Sequence, residues 1–138
     1  MTLIRHRMSR DEGVAAVEFA LILPVLALLL FGVLEFGRVW SQYQVFQGAA
    51  REGARCAAVA STSECVVQEE IDQAAAPFDP DENAAIDVLG GGGDANGCTD
   101  ATRGEDVQVS WEQSLQINIP FWNDVSVTPT IKAVFRCE

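Results

Sequence analysis

The residues able to do chemistry are few and of two kinds. Four cysteines, Cys56, Cys65, Cys98 and Cys137, all lie in the C-terminal two-thirds of a 138-residue chain. One carboxylate, Glu18, is the only ionisable residue in the run 14–34. An even number of cysteines in a small exported domain points to disulfides. Three connectivities are open. The local pair Cys56–Cys65 is favoured, with Cys98–Cys137 tying a loop to the last strand. No Cys-x-x-Cys occurs, so neither a zinc ribbon nor a dithiol redox site is indicated. Asp94-x-Asn96-x-Cys98-x-Asp100, with Glu105 behind it, weakly resembles a calcium loop, but Thr99 stands where such a loop needs glycine. No nucleophile–base–acid set, phosphate loop or paired catalytic carboxylate stands out, so the expectation is no enzyme, no metal and no cofactor.

Glu18 must be positioned by the element around it. At the rise of an α-helix, residues 14–34 span about 31 Å, roughly the thickness of a bilayer's hydrocarbon core. A carboxylate there costs a few kcal/mol on insertion scales and is normally paired or functional. Pro24 removes one backbone bond inside the run and allows a kink. Charge supports a membrane reading. The net charge is −11, yet residues 1–13 carry three arginines against two carboxylates, and the acidic excess lies beyond the span. A cytoplasmic N-terminus with an exported C-terminal domain follows. An acidic body excludes nucleic acid as a partner.

After the span, Glu35, Gly37 and Arg38 mark a membrane edge flanked by Phe36 and Trp40. Trp40, Tyr43, Phe46, Ala50, Ala54 and Ala57 then recur at three- and four-residue spacing. This predicts an amphipathic continuation, so that 14–60 forms one helix about 70 Å long. Gly48, Ala50, Gly53 and Ala54 make one side small, suited to close approach by another helix or a sheet. Glu52 and Arg55 pair at i, i+3 on a solvated face. Ser61, Thr62 and Ser63 suit the N-cap of a second helix over about 64–76, ended by Pro77 and Pro80. Residues 85–89 form a possible strand, and 90–93 are a glycine link. From Val107 the period becomes two. Three or four antiparallel strands are expected, with turns near Gln113, over 120–124 and at Pro129. The predicted class is α+β: a leader at 1–13, a long helix at 14–60 (14–34 transmembrane, 35–60 exported), and a small exported domain at 61–138.

Gly13, the small apolar residues to Val17, then Glu18 and Phe19 before a long apolar helix together resemble the class III signal of type IV pilin-like proteins. Residues 13–24 are similar to the opening of the TadE-like proteins, minor pilins or pseudopilins of the tight-adherence (Tad, Flp) pilus machinery. Residues 32–38 and 47–55 resemble two further signatures of that family, and 133–138 do so more weakly. The resemblance implies cutting between Gly13 and Val14 by a prepilin peptidase. It also implies a register-setting role for Glu18 and Phe19, and partnership with other pilins, the assembly platform and membrane lipid. Cutting would create an α-amine on Val14 that a neighbouring subunit's Glu18 can neutralise in low dielectric. An uncleaved signal-anchored protein, binding a surface as an adhesin, is the competing expectation. A membrane-anchored metal-dependent enzyme is a second one.

Overall fold

The computed structural model describes residues 10–59, 65–93, 97–119 and 124–138. Its spine is α1, Arg10–Ala58, a helix of 49 residues with Pro24 inside it. Over its most apolar 18-residue window the mean hydropathy is 2.6, and none of that window is buried within the chain. The two halves of α1 differ accordingly. Leu21, Leu29, Leu30 and their neighbours are exposed, whereas Phe46, Ala49, Ala50, Ala54 and Ala57 are buried in the core. The three-and-four spacing therefore marks the packed face, from partly buried Tyr43 to Ala57. Trp40 departs from it. It stays exposed and stacks on Phe36 with ring centroids 6.1 Å apart.

The second helix, α2, covers Val67–Ala75 and lays Val67, Ile71 and Ala75 against α1. The expected start near residue 64, capped by Ser61–Ser63, is corrected. The N-cap is Val66, without a side-chain cap, and those three serine and threonine residues lie outside the described set. A disulfide ties Cys56, in the last turn of α1, to Cys65, just ahead of α2. The helix ends at Ala75, just ahead of Pro77, as expected.

Among the described residues five strands follow: β1 (Ala85–Val88), β2 (Asp106–Glu112), β3 (Leu115–Ile117), β4 (Val125–Val127) and β5 (Thr130–Arg136). They form two antiparallel sheets, β1-β2-β5 and β3-β4. Thus the fold is α+β, as the period change implies. Val107, Val109, Trp111 and Ile131 point from the larger sheet into the core, and Gln108, Ser110 and Lys132 face away, which is the alternation of a half-buried sheet.

The turn expected near Gln113 is a bend. Glu112 faces Thr130 in one sheet and Leu115 faces Val127 in the other. The Gln113 N–H donates to the Pro129 carbonyl between them (3.1 Å). All three pairings share one register, so β2–β3 and β4–β5 are the two arms of a single long hairpin. It breaks at Pro129, which has no N–H to donate. The Gln113 side chain, buried at the bend, accepts from Trp111 Nε1 (3.1 Å) and from the Asp81 N–H (3.2 Å).

The upper end of the domain closes on the end of α1. Cys98 N–H donates to the Ala57 carbonyl (2.9 Å) and Glu138 N–H to the Ala58 carbonyl (3.2 Å). These are two of the carbonyls that a helix C-terminus leaves without partners. Gly97 lies so close to the helix that a Cβ there would meet the Ala57 carbonyl oxygen at 2.5 Å, and its φ is 127°. The Cys98–Cys137 disulfide joins the two capping segments. Both bridges thus follow the favoured pairing, and no free cysteine remains. Within the weak calcium-loop pattern, Cys98 is disulfide-bonded. Asp94 and Asn96 lie outside the described residues, and no cluster of metal-ligating side chains occurs among those described.

Candidate functional site

Two regions of α1 hold the residues of interest: the apolar half with Gly13, Val14, Glu18, Phe19 and Pro24, and the turn with Glu35, Gly37 and Arg38 that follows it. In the first, Glu18 is exposed. It makes no ion pair or hydrogen bond with another described residue. Its neighbours Val17, Phe19 and Leu21 are also exposed. A carboxylate and an apolar collar thus stand side by side on an exposed stretch of α1. Gly13 and Val14 sit in the first turns of α1, near the end where a helix is held by fewest bonds.

The second region is an organised polar junction. Arg38 grips Glu35 with two bonds, Nη2 to Oε1 (2.5 Å) and Nε to Oε2 (3.1 Å). The same Nη2 donates to the Gln116 carbonyl in β3 (2.6 Å). Glu35 Oε1 in turn accepts the Asn118 N–H (2.8 Å). With its amide turned to suit both ends, Asn118 also donates to Asp124 and accepts from Arg38. The i, i+3 pair on the helix is therefore a clamp on the lower arm of the long hairpin. Gly37 is exposed and leaves the adjoining surface open.

The clamp has an electrostatic signature. The Arg38 guanidinium, chiefly, and the Asn118 N–H hold the Glu35 carboxyl down to about 2, from an ordinary 4.5. A carboxyl depressed on folding adds stability that is complete above its unfolded value. That contribution is lost as pH falls through the folded one. Glu35→Gln should therefore lower the thermal midpoint at pH 6, and the gap from wild type should close between pH 4.5 and about 2. Circular dichroism melts across that range in detergent check this. A gap that persists at the acid end would mean that charge is not what holds the arm.

Higher on α1, the small side is used inside the chain. Ala50, Gly53 and Ala54 are buried against α2 and the sheet, so the helix and sheet that approach this side are the chain's own. Gly48 differs. It is exposed, and a Cβ there would meet nothing within 4 Å. Glu52 and Arg55 pair at 2.6 Å on the solvated side, as their spacing indicates. Trp111 is a core residue, and Trp122 lies outside the described residues.

Sequence reasoning missed Gln116 and Asn118. Gln116 acts through its carbonyl and Asn118 through its N–H as well as its side chain, 78 and 83 residues from their helix partners, so no spacing rule could find them. The remaining question is which known proteins carry such a helix, with a solitary carboxylate in an apolar half and a glutamate–arginine clamp at its edge.

Residues 13–55 match the family model of TadE-like protein.

The TadE-like segment begins at Gly13 and runs through Glu18, the clamp and Gly53, ending just before Cys56. It coincides with α1 and stops short of α2 and both sheets. No curated protein and no solved structure matches the chain. The likeness is carried by the helix.

Proposed function

We propose that the protein is a minor pilin or pseudopilin of a Tad pilus system, a structural subunit and not an enzyme. In this reading a prepilin peptidase cuts between Gly13 and Val14 on the cytoplasmic side. The apolar half of α1 then anchors the chain in the inner membrane, with the sheet domain outside. The observation that carries the reading is the TadE-like match that opens on Gly13, the residue ahead of the expected cut. The exposed apolar half of α1 supports it, because a single-pass membrane helix needs such a surface. Exposed Glu18 supports the assembly step. Its carboxylate can meet the new α-amine of Val14 on a neighbouring subunit, where low dielectric strengthens the pair.

Mass spectrometry of the protein from its own membrane tests processing. The expected species starts at Val14, and an intact Met1 N-terminus in cells that contain the peptidase would overturn the reading. Glu18→Ala tests assembly. The mature mass should be unchanged, while crosslinking to other pilin subunits should fall by at least about tenfold, the factor that 1.4 kcal/mol represents. Undiminished crosslinking would remove Glu18 from the interface.

A further inference from the structure

We infer that the lower arm of the long hairpin, β3–β4, is a second membrane contact, and that the cleft between it and α1 is filled by phospholipid acyl chains. The inference rests on the proposed span of residues 14–34. The cleft, about 530 Å³, is lined by Leu28, Phe31 and Gly32 on the helix and by Ile119 and Val125 at the end of the arm. Leu28 lies seven residues before Glu35, about 10 Å deeper along the helix axis. If the hydrocarbon ends near Leu34, the cleft opens inside the outer leaflet.

The arm is built for that depth. Because directly paired residues of an antiparallel ladder share a face, Leu115, Ile117, Val125 and Val127 form one side, and Gln116 and Ser126 the other. Leu115 is buried against the domain, but Val125 and Val127 are 43% and 45% exposed. The apolar side therefore overhangs the helix. Its direction is fixed by the clamp, since Gln116 is held at Arg38 and Asn118 at Glu35, and the next residue, Ile119, lies lower again. The polar residues of the lining, Glu35 and Asn118, bond to each other, and the lining above them, Phe36, Val39 and Ile117, is again apolar. Below them the lining is hydrocarbon and runs without a break into the exposed surface of Leu29, Leu30 and Phe31. Any medium that covers that helix surface also enters the cleft. For a membrane helix that medium is lipid, and an amphipathic element buried 5–10 Å into the headgroup boundary is an established mode of contact.

The test uses the full chain in vesicles of phosphatidylethanolamine and phosphatidylglycerol. All four native cysteines are disulfide-bonded, so a single introduced cysteine takes a nitroxide label uniquely. Val125→Cys should collide with oxygen far more than with a nickel chelate, as Leu29→Cys in the span does. Ser126→Cys, on the opposite face, should show the reverse, with a several-fold difference in the collision ratio. A Val125 ratio equal to that of Ser126 overturns the inference, because that face is then in water. Loss of both collision rates at Val125 also overturns it, in favour of a cleft filled by another subunit. If Leu29 itself collides with the chelate, the span reading fails first, and the inference with it. Should Val125→Cys not fold, Ile119→Cys, which also lines the cleft, is read by the same outcomes.

Discussion

Replacing Cys98 and Cys137 together by alanine is expected to lower stability by about 4 kcal/mol, the chain-entropy value for a closed loop of this length. The bridge spans 39 residues, against 9 for Cys56–Cys65. The shorter loop corresponds to about 2.7 kcal/mol, so its removal should be clearly milder. Position makes the longer bridge more important still. Its two ends carry the segments whose Cys98 and Glu138 N–H groups cap the Ala57 and Ala58 carbonyls of α1. Freed, those carbonyls would exchange protein partners for water, and Gly97 would have no reason to stay pressed on the helix. For a domain of about 100 residues, the thermal midpoint should drop by about 15–30 °C. Thermal melts of the full chain in detergent, followed by circular dichroism, measure both variants. A smaller loss from the longer bridge would mean that the upper closure contributes little to the fold.

Much of this architecture can be read from local pattern, and the failures share one cause. Length and apolarity announce α1, and spacing of three and four picks out Phe46, Ala50, Ala54 and Ala57 as its packed face. Alternation announces Val107, Val109 and Trp111. The Glu35 and Arg38 spacing announces an ion pair, but not what the pair holds. Its purpose lies in the Gln116 carbonyl and the Asn118 N–H, which every non-proline residue has and which leave no mark in a sequence. Pro129 and Gln113 read as punctuation because proline and polar residues usually end strands. Here they bend one hairpin while its register continues on both sides. What stays illegible is thus tertiary: which backbone groups meet across 80 residues, and whether a break in a strand pattern reverses the chain or only redirects it.

The same cause makes Gly48 and Gly53 indistinguishable in sequence and opposite in structure, and the contrast gives the second strong prediction. A Cβ at Gly53 would meet Ile71 Cγ1 at 2.5 Å and Cδ1 at 2.7 Å, closer than real side chains approach. Ile71 is fully buried and branched at Cβ, so it has no free direction in which to move. α1 and α2 would have to separate. Gly53→Val should cost about 3 kcal/mol, the upper end of ordinary overpacking, even though valine at a buried site would otherwise gain apolar burial. Gly48→Val meets open space and should leave the melting midpoint within about 4 °C of wild type, a surface-substitution effect of about 0.5 kcal/mol or less. Melting separates the two in one measurement. Under the proposed function, crosslinking to neighbouring subunits then asks a different question of the folded Gly48 variant. If the exposed small patch is where another subunit's helix approaches, valine there blocks assembly without touching the fold. Normal assembly of Gly48→Val, alongside loss of assembly in Glu18→Ala, would confine the helix contacts to the membrane half of α1.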